Sequence, residues 1–313
     1  MDDLLIKASR TGDLETMKAL IPLRFGEESD ADWRNDALYV ASQEGHVETA
    51  RQLLIAGADV HANDDMSLKW ASFSGHAEIV KLLLEAGANV HAEDDDALRR
   101  ASKRGNAKIV KMLLDAGADV HAREDQALID ASKYNKVNVV KILLDAGANV
   151  RASRSGALRR AAFGGHIEVV QMLLEAGADV NANNGDALCL AAFHGHDELA
   201  KVLLDAGANV HANNDEALQY AAENGHMNVI KAFLSAGVDI HAGDETALRA
   251  ASFKGHVEIV RLLLDHGANV HALNDMALRI AICSGHEKVI KMLSDAGSEV
   301  PSEEGTKNSI LRM

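Results

Sequence analysis

The chain has 313 residues, 47% of them hydrophobic but only 4% aromatic, and a formal net charge of −15. Leu, Val, Ile and Ala must therefore form the core, which suits thin layers of helices. A globally acidic chain argues against non-specific binding to nucleic acid or to an anionic membrane. With no secretory leader and no run near the ~18 apolar residues that cross a bilayer, we expect an intracellular protein, cytoplasmic or nuclear. Cys189 and Cys283 lie too far apart for a bridge, which fits a reducing compartment.

The N-terminal segment, residues 1–34, is predicted to form a capping repeat followed by an irregular connection. Apolar spacing indicates two short helices, over residues 2–10 and 14–20. The end repeats of a stacked array need a polar outer face, and this pair has one. In the connection we expect Phe25 and Trp33 to cover the end of the core.

From residue 35 onward the chain repeats itself with a period of 30. Alanine recurs from Ala41 to Ala281 and glycine from Gly57 to Gly297. Leucine occupies the corresponding place at positions 38, 68, 98, 128, 158, 188, 218, 248 and 278. Repeats of this length stack on one another because each buries its apolar face only against a neighbour. We predict nine repeats over residues 35–300, the last a C-terminal cap, and a flexible tail over residues 301–313.

A single repeat predicts two antiparallel helices and a polar return loop. In residues 95–124, Asp95 is expected to cap the N-terminus of a first helix over 96–104. Gly105 ends that helix, and a second helix follows over 108–116. Asn35, Asp65, Asp125, Ser155, Asp215 and Asp275 occupy the same capping position in other repeats. Helix capping also explains the paired acids of the loops, which lack the order of a calcium loop.

The repeat resembles the ankyrin repeat, most clearly in GHAEIVKLLLEAGANVHA (Gly75–Ala92) and GHVEIVRLLLDHGANVHA (Gly255–Ala272). The resemblance runs from about Met1 to Val300 and recurs ten times. It implies an all-α ankyrin-repeat solenoid of about ten stacked helix-turn-helix repeats. The unit is shorter than the usual ankyrin repeat and its first helix starts with DDAL or DEAL, so we expect short inter-repeat loops. Shortened arrays of this kind are similar to those of large DNA viruses and some bacteria.

Fifteen histidines raise the question of a metal site, but thirteen of them form two columns. Seven follow a helix-starting glycine (His46, His76, His166, His196, His226, His256, His286) and six lie in the return loops (His61, His91, His121, His211, His241, His271). Successive imidazoles in a column are one helix layer apart, about 8–10 Å, whereas zinc needs its ligands at about 2 Å. We interpret the columns as structural, with no metal and no cofactor. The resemblance implies that the Gly-His histidines brace the turn.

Neither a catalytic triad nor a phosphate-binding glycine loop is visible, so we predict a protein that is not an enzyme.

The outward positions of the first helices have the most unusual composition of the chain. They hold 8 of the 11 aromatic residues, and they contain 11 basic residues and 3 acidic ones. The column of Arg99, Arg159, Arg249 and Arg279 matches the ankyrin histidine that bonds a neighbouring loop, which gives those arginines a structural alternative. The candidate partner-binding residues are Trp70, Phe73, Arg100, Lys103, Arg104, Lys133, Tyr134, Arg160, Phe163, Phe193, His194, Tyr220, Phe253 and Lys254.

In ankyrin folds the first helices line a concave groove, where exposed rings and arginines have the character of binding hot spots. We therefore predict a scaffold, monomeric when alone, that binds a partner protein or peptide there. The bases favour an acidic or phosphorylated segment. Three alternatives stay open: an adaptor or effector that recruits a protein to a larger complex, a purely structural spacer, and rings that only shelter one another.

Overall fold

The computed structural model describes residues 2–24 and 31–298, and over these ranges it contains twenty α-helices, one short 3-10 helix and no strand. The all-α prediction is confirmed. Phe25 and the predicted tail over residues 301–313 lie outside the described residues. The chain divides into two compact units, one of residues 1–164 with 175–177 and the other of residues 165–174 with 178–313.

Unit 1 is a stack of helix pairs in which first helices pack on first helices and second helices on second helices. Its elements are α1 (Asp2–Thr11), α2 (Leu14–Leu20), the 3-10 helix (Ile21–Arg24), α3 (Ala31–Glu44), α4 (Val47–Ile55), α5 (Ala62–Ser74), α6 (Ala77–Glu85), α7 (Ala92–Arg104), α8 (Ala107–Asp115), α9 (Ala122–Lys133), α10 (Val137–Asp145) and α11 (Ala152–Gly164). The predicted terminal helix pair corresponds to α1 and α2. Trp33 is buried at the start of α3, as expected for a ring that covers the core.

Unit 2 continues the same pairing. It holds most of α12 (Ile167–Glu175), followed by α13 (Ala182–His194), α14 (Asp197–Asp205), α15 (Glu216–Asn224), α16 (Met227–Ser235), α17 (Ala242–Lys254), α18 (Val257–Asp265), α19 (Ala272–Ser284) and α20 (Glu287–Asp295). The last repeat departs from the repeat pattern at Ser298. Ser298, which replaces the usual alanine, is buried and donates its hydroxyl to the carbonyl oxygen of Val270 at 3.3 Å.

The core is built from small residues on the first helices and branched residues on the second helices. In the repeat of α7 and α8, Leu98, Ala101, Val110 and Leu113 are all buried. Each buried Leu or Val side chain stabilises the fold by about 1.5–3 kcal/mol relative to an exposed one. Alanine on the first helix lets the two helices approach closely, so that neighbouring repeats share one continuous apolar layer.

A left-handed turn precedes the right-handed part of the first helix in eight repeats, which the sequence analysis did not predict. In α7 the turn comprises Glu93, Asp94 and Asp95, with φ of 50°, 54° and 57°. Most of the corresponding residues in other repeats are Asn or Asp, whose short polar side chains tolerate this conformation best after glycine. Three residues in this conformation turn the chain from the return loop into the next helix, so the inter-repeat loop is short.

The predicted capping role is wrong for Asp95, and for Asn35, Asp65, Asp125 and Asp215, because their side chains bond to the next repeat instead. Asp95 is buried, and its Oδ1 accepts a hydrogen bond from the backbone N–H of Asp119 in the next repeat, at 2.9 Å. The His91 imidazole donates from Nδ1 to the same carboxylate at 3.2 Å. Because Asp95 ends the left-handed turn, its side chain bonds to the next repeat instead of the first-turn amides of its own helix. Five further bonds of this kind join Asn35 to Asp59, Asp65 to Asn89, Asp125 to Asn149, Asp215 to Asp239, and Glu245 to Asn269.

Two of the left-handed turns end without an acid, at Ser155 and Gly185, and the second replaces the acid in another way. Gly185 stands at the acidic position, and Asn181 stands where other repeats have the loop histidine. The side-chain oxygen of Asn181 accepts the N–H of Asn209 at 2.7 Å, so the bond to the next repeat is kept. The same amide donates to the carbonyl oxygen of Gly207 at 3.1 Å. One asparagine therefore takes the place of the histidine–acid pair.

The Gly-His histidines brace the stack, as the resemblance implied. In His46, His76, His226, His256 and His286, Nε2 lies 2.8–3.0 Å from a carbonyl oxygen of the preceding repeat, to which its N–H donates. Gly45 has φ of 93°, and a Cβ there would lie 2.6 Å from the His76 ring. Glycine is therefore required both for the left-handed helix end and for the close approach of the next histidine.

Candidate functional site

Three neighbouring first helices of unit 1 place aromatic rings and cations side by side. We call this the cation–ring surface and define it by seven residues: Trp70 and Phe73 on α5, Arg100, Lys103 and Arg104 on α7, and Lys133 and Tyr134 at the end of α9. Spacings of three and four residues bring the members on one helix to one face. Packing of α7 against both α5 and α9 then brings the three sets together.

Every ring of the cation–ring surface carries a cation of the same chain. The Arg100 guanidinium lies 5.1 Å from the centre of the Trp70 ring, and the Arg104 guanidinium 4.7 Å from that of Phe73. Lys103 and Lys133 lie 5.3 Å and 5.1 Å from the Tyr134 ring. Such contacts attract the cation to the negative face of the ring. The outer layer of this surface is therefore positively charged and the layer beneath it is aromatic, so it is not an open apolar patch.

A buried acid that sequence reasoning missed holds two of the arginines. Asp96 is buried on α7 and bonds both Arg99 and Arg100. Burial alone would raise the pKa of Asp96, but hydrogen bonds and the positive charges of Arg100 and Arg99 outweigh it and hold that pKa below its ordinary value. Arg99 also lies 3.6 Å from Asp130. The signal in the sequence was an acid three and four residues before two arginines.

Lys103 and Arg104 differ from Arg99 and Arg100 in that no acid of the described ranges pairs with them. Within the described part of the chain, no carboxylate lies within ion-pair distance of Lys103 or Arg104, and Arg104 is exposed. Asp96 bonds Arg100 through Nε, so that bond does not occupy the two terminal nitrogens of the guanidinium. The charges that a bound molecule would meet are thus mainly those of Lys103, Arg104 and the outer part of Arg100.

Two predicted residues lie on the neighbouring helix α11. Arg160 is exposed, and the Phe163 side chain is 49% exposed. Tyr134 is 37% exposed and Trp70 is half-buried. None of these rings is turned inward among the leucines, so a partner can reach them from the surface.

The column of basic residues around Arg99 has structural roles at the positions where its contacts are seen. Lys69 is 1% exposed, and its Nζ lies 2.8 Å from a carboxylate oxygen of Glu93 in the next loop. Arg249 donates to the carbonyl oxygen of Gly243 at 2.9 Å. These side chains hold the loops, as the matching ankyrin histidine implied, and they are not part of the candidate site.

The candidate residues of unit 2 form a different surface, on α13, α15 and α17. The Phe193 ring packs edge-on against His194 and Tyr220, with centroids 4.9 Å and 5.6 Å apart. Burial lowers the pKa of His194, and the neighbouring His196 and His226 lower it further. The imidazole is therefore mainly neutral near pH 7, and it adds little positive charge to the surface.

Lys254, the predicted cation of this region, is already paired. It lies 5.3 Å from the Phe253 ring and 3.4 Å from a carboxylate oxygen of Glu223. The Tyr220 hydroxyl donates to Glu216 at 2.8 Å. That hydrogen bond is the main reason why the pKa of Tyr220 is raised to about 12, with burial and the charge of Glu216 adding to it. Glu216 was missed by sequence reasoning, and it makes this part of unit 2 negative.

A buried thiol and a shallow polar cavity are further features of unit 2. Over residues 2–24 and 31–298 no group of three or more His, Cys, Asp or Glu side chains is arranged to hold a metal ion, and no helix there has the length and apolarity to span a membrane. Burial raises the pKa of the Cys189 thiol to about 12, which disfavours the reactive thiolate. A shallow polar cavity of about 510 Å³ lies in unit 2, lined by Asn181, Asn184, Gly185, Asn209 and His211 among others.

The chain matches a known protein family. The family described as ankyrin repeats (3 copies) matches residues 4–94, 98–184, 158–244 and 218–304, nearly the whole chain. No curated protein matches it. Repeats of this family are generic protein–protein interaction modules and are typically non-enzymatic.

Proposed function

This chain belongs to the ankyrin-repeat family, and from that premise we propose that it is a non-enzymatic scaffold that binds a partner protein through the cation–ring surface of unit 1. Within each unit the repeats stack on one another, and the outward side chains of the first helices decide what is bound. The observation that carries the proposal is the layering of four cations on three rings.

The layered surface favours a partner segment rich in carboxylates or phosphates. Arginine forks form paired hydrogen bonds with both groups, and they lose little freedom when they are already held. Arg100 is held by Asp96 and Trp70, and Arg104 rests on Phe73. The rings below limit the access of water to the cations, which strengthens their attraction for an anion. A slender segment such as a helix or an extended peptide fits this surface better than a broad globular one.

The proposal is tested with charge reversal on the surface itself. The triple variant Lys103→Glu, Arg104→Glu, Lys133→Glu removes cations without breaking the buried Asp96 network. The probes are three labelled peptides of the same length, one with four glutamates, one with four glutamines, and one with two phosphoserines. We expect the glutamate and phosphoserine peptides to bind the unmodified protein, and the triple variant to bind them at least about tenfold more weakly, as loss of charged hydrogen bonds predicts. Fluorescence anisotropy measures both.

The matched control reverses three lysines on the second helices of the same unit, Lys81→Glu, Lys111→Glu, Lys141→Glu. These lysines are exposed, so the control makes the same change in net charge on another face. We expect it to retain nearly all binding at physiological salt. Equal binding of the glutamine peptide, or equal losses in the two triple variants, would contradict the assignment of this surface.

A further inference from the structure

The Phe193–Tyr220 ring pair of unit 2 differs from the rings of the cation–ring surface, because the corresponding positions of the next repeats hold no cation. In unit 1, Arg100 stands 30 residues after Trp70 and covers that ring, and Arg104 stands 31 residues after Phe73 and covers that one. In unit 2, the position 30 residues after Tyr220 is Ala250, and the position 31 residues after Phe193 is Asn224. Neither side chain is charged, and the Asn224 amide donates to the carbonyl oxygen of Tyr220 at 2.9 Å.

The Phe193–Tyr220 ring pair is therefore accompanied by an acid instead of a cation. Glu216 is half-buried and accepts hydrogen bonds from two neutral donors, the Tyr220 hydroxyl at 2.8 Å and the Asn213 amide at 3.0 Å. No cationic group of the described residues lies within ion-pair distance of Glu216. Lys254, the lysine of the next repeat, pairs with Glu223 instead. A partly desolvated carboxylate beside exposed aromatic edges and faces is attractive to a positive side chain.

We propose that Phe193, Tyr220 and Glu216 form a site for an arginine side chain of a bound protein. The guanidinium would lie against the rings, in the place that the chain's own arginines take in unit 1, and would pair with the Glu216 carboxylate. Arginine fits this site better than lysine because its planar group stacks on rings and forks onto carboxylates at the same time. The inference is independent of the acidic segment proposed for unit 1, because it concerns the opposite charge and other residues.

Charge around the ring pair supports the assignment. Besides burial, the negative charges of Glu216 and Asp186 raise the pKa of Cys189, and both also raise the pKa of Tyr220. The bases on the same helices do not offset this, because Arg249 bonds the loop carbonyl oxygen of Gly243 and Lys254 is neutralised by Glu223. The nearby imidazole of His194 is held mainly neutral by burial and by its histidine neighbours.

The experiment uses the full chain and a capped peptide that is uncharged apart from one arginine, compared with the same peptide carrying citrulline, which has the shape of arginine without its charge. Amide NMR titration reports where and how tightly each binds. We expect the arginine peptide to shift the signals of residues around Glu216 and Tyr220, and the citrulline peptide to bind at least about fivefold more weakly. A lysine peptide should fall between the two.

Two variants test the site from opposite directions. Glu216→Gln removes the charge and keeps an acceptor for Tyr220, and Ala250→Arg places a guanidinium of the chain itself where Arg100 lies in unit 1. Each should weaken arginine binding at least about fivefold. The control Glu258→Gln removes an exposed acid of unit 2 that pairs with Arg261 on α18, and it should change nothing. Thermal unfolding followed by circular dichroism checks that each variant folds.

Equal binding of the citrulline peptide, or full arginine binding by Glu216→Gln, would overturn the assignment. The triple reversal at Lys103, Arg104 and Lys133 should leave arginine binding unaltered. Failure of the acidic-peptide experiment in unit 1 is thereby distinguished from failure here.

Discussion

At the scale of single residues, Asp96 shows why a count of charges misjudges a surface. Four consecutive outward positions of α7 are basic, and from the sequence all four contribute equally to a positive face. The buried Asp96 carboxylate accepts hydrogen bonds from Nη2 of Arg99 and Nε of Arg100, so these two arginines are held in place by the chain itself. Their fixed position is nevertheless useful, because a cation that is already ordered loses less entropy when it binds an anion.

The substitution Asp96→Asn tests this network through its pH dependence. It removes the charge between two arginines, and we expect a loss of about 1–3 kcal/mol in the free energy of unfolding at pH 7. Because the pKa of Asp96 is lowered in the folded state, its ionised form stabilises the fold above the unfolded-state pKa of about 4, and this stabilisation is lost as the pH falls through the folded-state pKa. The difference between the variant and the unmodified protein should therefore shrink below about pH 4.

Urea unfolding at pH 7 and at pH 3 measures the effect. Asp36→Asn is the control, because Asp36 takes the same place in its repeat but is exposed. The control should cost less than about 0.5 kcal/mol at either pH. If the loss at Asp96 were equally large at pH 3, the interaction with the arginines could not be its source.

At the scale of the helix pair and its loop, an acid at the end of the left-handed turn links five of the eight turns to the next repeat. The bond from Asp95 to the N–H of Asp119 satisfies a backbone donor that no helix serves. His91 bonds the same carboxylate from the solvent side, and its side chain is 58% exposed. The neighbouring Asp94 has the same charge and the same backbone conformation, but its side chain is 73% exposed and only meets Arg123 at 3.4 Å.

This pair of adjacent acids gives a controlled test. Asp95→Ala leaves the N–H of Asp119 without its partner and removes the acceptor for His91, so we expect a loss of about 1–3 kcal/mol in the free energy of unfolding. Asp94→Ala removes only an exposed ion pair, which is worth about 0–1 kcal/mol. Hydrogen exchange at the amide of Asp119 should accelerate in Asp95→Ala and stay unchanged in Asp94→Ala. Similar losses for both variants would show that the buried bond contributes little.

The same loop shows what the sequence could and could not predict. Helix ends at Gly45 and Gly105 were predictable because glycine in a left-handed position ends a helix and few other residues do so. The left-handed turn could not be predicted, because Asp and Asn before a helix are typical both of an N-cap and of a turn. Which repeat receives the Asp95 bond depends on the direction of the side chain, and a 30-residue period contains no such information. The period likewise predicts that rings and bases share one face, but it does not predict which base covers which ring, such as Arg104 over Phe73.

At the scale of the whole molecule, the net charge of −15 opposes the approach of the acidic segment that the cation–ring surface would bind. The two effects act over different distances. The field of the whole chain reaches about 30 Å at 0.01 M salt but only about 8 Å at 0.15 M, whereas contacts with Lys103 and Arg104 act within a few ångströms. Specific binding of an acidic segment therefore depends on the local arrangement and not on the total charge.

The salt dependence of binding distinguishes long-range repulsion from local contacts when the two triple charge-reversal variants of unit 1 are compared. Both lower the net charge by six, one on the cation–ring surface and the other on the second helices. At about 0.01 M salt we expect both variants to associate with the glutamate peptide more slowly than the unmodified protein, because both increase the long-range repulsion. At about 0.15 M salt the second-helix variant should recover its association rate and affinity, and the surface variant should not. Stopped-flow fluorescence over this salt range measures the rates; recovery of both variants together would mean that the peptide responds only to total charge and has no fixed site on unit 1.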